Sequence, residues 1–134
     1  MKKESENVLI KLDFESEIPI YQQLKDQIVM GIAIKDLEPG ESLPSVRELA
    51  SDLGVNLHTI RKSYNQLKAE GFVHVNRRKG AVVAELPIAL DDEQKRLVDD
   101  GLNTLIATLV CSGKSHEEIR LKIDSILNRM IERK

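Results

Sequence analysis

The run LPSVRELASDLGVNLHTIR, Leu43 to Arg61, constrains this chain more than any other stretch. Ser45 followed three residues later by Glu48 is the pattern of a capping box, in which side chain and backbone N–H satisfy each other at a helix start. Val46, Leu49, Ala50 and Leu53 then recur on one helical face. Gly54 can take the left-handed conformation that ends such a helix cheaply. Asn56 offers a second N-cap, opening a helix expected to run to about Glu70, with Ile60, Tyr64 and Leu67 as its buried face. Two short helices joined by a tight glycine turn form a helix-turn-helix.

The next segment of the chain narrows the fold further. Phe72–Val75 and Ala81–Ala84 are short apolar runs on either side of Asn76-Arg77-Arg78-Lys79-Gly80, which reads as a β-hairpin with a basic tip. The expected fold is therefore mostly α (α+β): an N-terminal winged helix-turn-helix followed by a two-helix C-terminal dimerisation segment. The expected boundaries are a tail over 1–16, the winged helix over 17–86 and the helical segment over 87–134. Within the tail, residues 1–7 are polar and expected to be disordered, and Val8 to Asp13 suits a short strand. Pro19 suits a first helical turn, and Ile20, Leu24, Ile28 and Ile32 predict a helix over about 19–36 before the Glu38-Pro39-Gly40 turn. Pro87 breaks the chain, and two further helices are expected over about 90–111 and 116–132. Ser115 and Glu118 supply a capping box for the second of these.

Charge matters by position rather than in total. The chain is formally −2, yet Leu57 to Gly80 carries six Lys/Arg (Arg61, Lys62, Lys68, Arg77, Arg78, Lys79) against one acid, Glu70. Local potential governs attraction to phosphate, so the nucleic-acid face is expected there. On the third helix His58, Lys62 and Asn65 point away from the core face, with Thr59 and Arg61 on the flanks. Asn can pair with an adenine edge, Thr with a thymine methyl, and Lys or Arg with guanine or phosphate. The expected DNA-binding set is Ser45, Arg47, Asn56, His58, Thr59, Arg61, Lys62, Asn65, Arg77, Arg78, Lys79 and Gly80. Solvated-surface readings compete at each position: Ser45 as a plain cap, Arg47 in an ion pair with Glu48 or Asp52, the tip as a guard against edge aggregation.

These residues also resemble the GntR family of bacterial transcription regulators. The resemblance runs through Pro19-Ile20-Tyr21, Pro39-Gly40, Leu43-Pro44-Ser45, Arg47-Glu48-Leu49-Ala50, Gly54-Val55, Thr59, Arg61, Glu70-Gly71 and the wing. It implies operator contacts by Arg47, by the helix-start residues Asn56, His58, Thr59 and Arg61, and by Arg77 and Arg78 of the wing. Leu57, Arg78 and Ala81 depart from the family pattern. A tail this short is similar to that of the YtrA-like branch.

In the tail, Val98, Leu102, Leu105 and Leu109 repeat at helical spacing, as do Ile119, Ile123, Ile126, Leu127 and Met130. Two helices of this size cannot cover both stripes alone, so pairing with a second copy is expected, with packing back onto the winged helix of the same chain as the competing reading. A two-fold dimer would present two reading helices to a palindromic site. The expected function is a sequence-specific, DNA-binding transcription regulator acting as a repressor. Alternatives are a winged-helix docking module and a sensor with a small-ligand pocket at the dimer helices.

No nucleophile–base pair or acid pair with a pocket can be assembled, so an enzyme is not expected. His58, His74 and His116 lie in different elements without companions at ligand spacing, so neither metal nor cofactor is expected. Cys111 stands alone and no apolar run reaches the roughly 18 residues a membrane span needs. The expected partners are double-stranded operator DNA and a second copy, with no membrane and any small-molecule effector left open, in a reducing cytoplasm.

Overall fold

The computed structural model describes residues 2–4 and 10–130. The chain divides into two compact units, residues 1–88 and 89–134.

The first unit begins with a polar strand. Of residues 1–7, expected to be disordered, Lys2–Glu4 form β1, which pairs antiparallel with β2 (Lys11–Asp13), Lys3 opposite Leu12, while residues 1 and 5–7 lie outside the described ones. Residues 8 and 9 of the expected strand lie outside the described residues. The other edge of β2 is covered by two glutamines one helical turn apart. Lys11 N–H donates to Gln27 Oε1 (2.8 Å) and Gln27 Nε2 donates back to the Lys11 carbonyl (2.6 Å). Gln23 repeats the exchange with Asp13 at 2.9 and 3.0 Å. Their side-chain amides thus stand in for a neighbouring strand. That seats Ile10 and Leu12 in the core.

Those glutamines belong to α1 (Ile20–Ala33), which buries Leu24, Ile28 and Ile32. The helix ends three residues before the expected 36. Lys35 turns left-handed at φ 68°, the Leu37 N–H donates to the Gly31 carbonyl (3.0 Å), and the Leu37 side chain folds over Gly31. A Cβ at Gly31 would lie 3.1 Å from Leu37 Cδ1, so the absent side chain makes room for this reversal.

α2 (Val46–Leu53) buries Leu49, Ala50 and Leu53 and stops at Gly54, whose φ of 65° is left-handed. Only half of the expected capping box forms at its start: Ser45 Oγ accepts from the Glu48 N–H at 3.0 Å. α3 (Leu57–Ala69) starts at Asn56, whose Oδ1 accepts from the His58 N–H at 2.8 Å, and buries Ile60, Ser63, Tyr64 and Leu67.

β3 (Val73–Asn76) and β4 (Gly80–Val83) form the hairpin, with Val75 opposite Ala81 and Asn76 opposite Gly80. Each strand is displaced one residue toward the tip from the expected bounds. Beyond those bounds the Ala84 N–H still donates to the Phe72 carbonyl. The far edge of β4 is occupied by residues 40–43. Gly40 N–H bonds to the Val83 carbonyl (2.8 Å), Val83 N–H to the Glu41 carbonyl (2.9 Å) and Leu43 N–H to the Ala81 carbonyl (2.8 Å). The turn ahead of α2 is thereby laced to the wing.

The second unit holds α4 (Asp92–Cys111) and α5 (His116–Leu127). Asp91 and Gln94 make a capping box at the start of α4, two residues after the expected bound. The expected box of Ser115 and Glu118 opens α5. That helix ends at Leu127 rather than near 132, and the last residues of the expected range lie outside the described ones. None of α4 is buried, and α5 buries Ile119 alone. No helix is long and apolar enough to cross a membrane among the described residues.

Candidate nucleic-acid interface

Three elements of the first unit converge on one groove. The start of α2 contributes Ser45 and Val46, α3 contributes Arg61, Asn65 and Lys68, and the wing contributes Val75 and Gly80. A neighbouring hollow on the wing side adds Glu48 and Lys79 to Ser45 and Gly80.

The angle between α2 and α3 is fixed from beneath by Tyr64. Its hydroxyl donates to the Pro44 carbonyl at 2.7 Å, tying mid-α3 to the residue ahead of the Ser45 cap. Burial pushes the Tyr64 phenol well above its ordinary pKa, and the charge of Glu48 pushes it further. The phenol therefore remains a donor at any physiological pH. On the other side Ser63, fully buried, donates its hydroxyl to the Tyr21 carbonyl of α1 at 2.7 Å. A second tie joins the same helices, where Lys25 Nζ sits 2.7 and 2.9 Å from the two Glu70 oxygens. The single acid of the basic 57–80 segment is thereby drawn back onto α1 and does not oppose the outward cations.

Most of the expected site residues lie on this surface. Ser45 and Asn56 are exposed caps whose oxygens already serve α2 and α3. Each retains a donor, the hydroxyl hydrogen and Nδ2 respectively. Arg47 is exposed on the first turn of α2, and His58, Arg61 and Asn65 are exposed on α3 with Thr59 half-buried beside them. Lys62 is exposed as well, but its ammonium lies 3.8 Å over the Tyr21 ring centroid, on the α1 side. At the wing tip Asn76 Oδ1 accepts from the Arg78 and Lys79 N–H groups (2.8 and 3.1 Å), while Gly80 takes φ 75°. This closed turn holds Arg77, Arg78 and Lys79 out in solvent. Among the described residues Arg47, Arg61, Lys68, Arg77, Arg78 and Lys79 enter no ion pair.

Lys68 was missed as a groove residue. Its spacing after Arg61 and Asn65, seven and three residues, puts all three on one flank and was the available signal. Val75, 64% exposed on the wing and facing the same groove, had none. The arrangement can do one thing well. It offers amide donors, and cations that enter no ion pair among the described residues, on one three-element frame, a set suited to an anionic partner.

Of the stripe residues in the second unit, Val98, Leu102, Leu105, Ile123 and Leu127 are exposed, and Leu109, Ile126 and Met130 are half-buried. Ile119 is already covered at 6% exposure, which removes it from the open face. No group of three His, Cys, Asp or Glu suited to a metal ion occurs among the described residues.

Comparison with known proteins bears on the family and the fold. The profile of bacterial regulatory proteins of the gntR family matches residues 20–83. The HTH-type transcriptional regulator YhcF of Bacillus subtilis (strain 168) is 35% identical over 106 residues, 79% of this chain and 88% of that protein. The HTH-type transcriptional repressor YtrA of the same organism is 33% identical over 121 residues, 84% of this chain and 90% of its own. Since 84% of this chain is more than the 88 residues of the first unit, that match takes in part of the two-helix tail. A crystal structure of a transcriptional antiterminator from Listeria monocytogenes EGD-e has a TM-score of 0.81 and 26% identity, covering 96% of this chain and 99% of that one. The chain belongs to the GntR family of bacterial regulatory proteins, and its similarity to YtrA places it with the short-tailed, YtrA-like members.

Proposed function

We propose that two copies of this chain, joined through α4 and α5, bind a palindromic operator in the cytoplasm and repress transcription. Each α3 enters a major groove by its N-terminal turns, where His58, Thr59, Arg61 and Asn65 reach base edges. Arg47 at the start of α2 and the tip residues Arg77, Arg78 and Lys79 hold the flanking phosphates, with Ser45, Asn56 and Gly80 offering hydroxyl, amide and backbone donors.

The observation that carries this reading is the set of exposed, unpaired cations around the groove between α2, α3 and the wing. On a plain solvated surface water and mobile counterions alone screen the repulsion among such charges. A bound phosphate strand neutralises it directly and releases those counterions. The repressor role follows the name of the B. subtilis relative YtrA.

Affinity for DNA selected from a random pool, measured by fluorescence anisotropy against salt, tests the proposal. Binding should weaken steeply as salt rises, and Arg61→Ala should cost about 1–3 kcal/mol. Equal affinity of wild type and Arg61→Ala at fixed salt would remove α3 from the reading position. Salt-independent capture of a protein, with no DNA binding, would favour a docking module instead.

A further inference from the structure

The outward face of α3 has two flanks, and they are built differently. Arg61, Asn65 and Lys68 open onto the wing-side groove. On the α1 side Ser63 is locked to the Tyr21 carbonyl and Lys62 lies with its ammonium 3.8 Å from the Tyr21 ring centroid. Tyr21 is thus held twice, its backbone by a buried hydroxyl and its ring beneath a cation. A helix lying in a major groove has a phosphate strand on either side. The wing-side strand would meet Lys68 and the hairpin tip. Among the described residues Lys62 is the one lysine or arginine of α3 on the other side, and Lys25 of α1 is spent on Glu70.

Resting on the DNA-binding reading, we propose that Lys62 grips the backbone phosphate on the α1 side of the groove and reads no base, and that Tyr21 is its positioning residue. The quadrupole of an aromatic ring attracts an ammonium over its face. A lysine so held loses less side-chain freedom on meeting a phosphate than one free in solvent. The same lean keeps the ammonium off the front of α3, where His58 and Asn65 stand, so its contact carries position rather than sequence.

The full-length protein is titrated onto a labelled random-sequence duplex across a series of KCl concentrations, and separately used to select DNA from a random pool. Lys62→Ala should lower the steepness of log affinity against log salt by about 1 and return the same selected sequence as wild type. Tyr21→Leu should weaken binding about two- to tenfold, the fold-change of ordering one long side chain in advance. Tyr21→Phe, which keeps the ring, should bind as wild type does. On the Lys62→Ala background, Tyr21→Leu should cost nothing more.

An unchanged salt slope for Lys62→Ala, an altered base preference, or independent, additive losses for the two positions would each overturn the proposal. Lys62 is on the surface, so its arm decides even where Tyr21→Leu fails to fold, and Tyr21→Met then takes that place. Wild-type protein that ignores the random duplex would fail the DNA reading itself. Wild-type binding with a silent Lys62→Ala fails this inference alone.

Discussion

In the first unit Leu24, Leu49, Leu53, Ile60 and Leu67 are all fully buried, whereas in the second Leu97, Leu102 and Leu105 are 57%, 55% and 66% exposed. Both sets repeat at helical spacing, and the residue types are nearly the same. The difference lies in what surrounds them. α1, α2, α3 and the wing close over one another, each contributing a face to a shared core. α4 and α5 are two helices with one apolar stripe each and only one mutual joint in which to bury them. Local sequence makes a stripe, while the number of neighbouring elements decides whether it is covered. An uncovered run of this kind leaves apolar surface available for packing, and a second copy is the proposed occupant.

The sharpest way to break that contrast is to charge the open face. Leu102→Glu with Leu105→Glu should leave the first unit folded and turn a dimer into a monomer in sedimentation equilibrium. Losing the linkage between two reading helices should weaken binding to wild-type-selected DNA by at least about a hundredfold. A variant that still sediments as a dimer would show that the stripe is covered by something other than a second copy.

A smaller effect separates a core leucine from a seam leucine. Leu53→Ala empties a fully buried site and should cost about 2–5 kcal/mol, by an amount independent of protein concentration. Leu105→Ala should lower the melting temperature by a shift that depends on concentration, because stability drawn from association follows mass action. Identical behaviour of the two variants on dilution would erase the distinction between the units.

How far each unit could be read in advance follows the same division. Helix caps are chemistry within four residues, so Ser45, Asn56 and Ser115 were legible as such. The box at Asp91 and Gln94 escaped because the helix was expected to start near residue 90, ahead of it, although both residues are good cap formers. The layout of two helices, glycine turn and basic hairpin was legible because its signals are consecutive. The pairing of residues 40–43 with β4 was not, since it joins segments some forty residues apart. Nor was β1, whose residues are polar and gain strand form only opposite Lys11–Asp13. The early end of α1 depends on Leu37 folding over Gly31, and periodicity alone carries the helix past it. For the candidate site, the outward face of α3 was legible from Ile60, Tyr64 and Leu67. Its split into a wing flank and an α1 flank was not, because that depends on where Tyr21 lies. Ser63 broke the apolar pattern of the core face and gave no sign of its bond across to α1.

The smallest effect is at the cap that starts α5, and it tests whether the second unit has any fold of its own to lose. Ser115 Oγ accepts from the Glu118 N–H at 3.1 Å, and the Ser115 N–H donates to Glu118 Oε1 at 3.3 Å. Ser115→Ala removes one half and should cost about 1 kcal/mol. The other half titrates. Hydrogen bonding from the Ser115 backbone, ahead of the Ser115 side chain and the charge of Lys114, holds the Glu118 carboxyl below its ordinary value of 4.5. A carboxyl depressed in the folded state contributes its stability above the unfolded pKa and loses it as pH falls through the folded one. Melting followed by circular dichroism should therefore show the tail weakening as pH drops below about 4.5, and Glu118→Gln should flatten that part of the profile. An isolated helix of this length is marginal in water, so α5 depends on what it packs against. If Ser115→Ala leaves both melting and self-association unchanged, association alone orders α5, and the second unit is a seam with no independent fold.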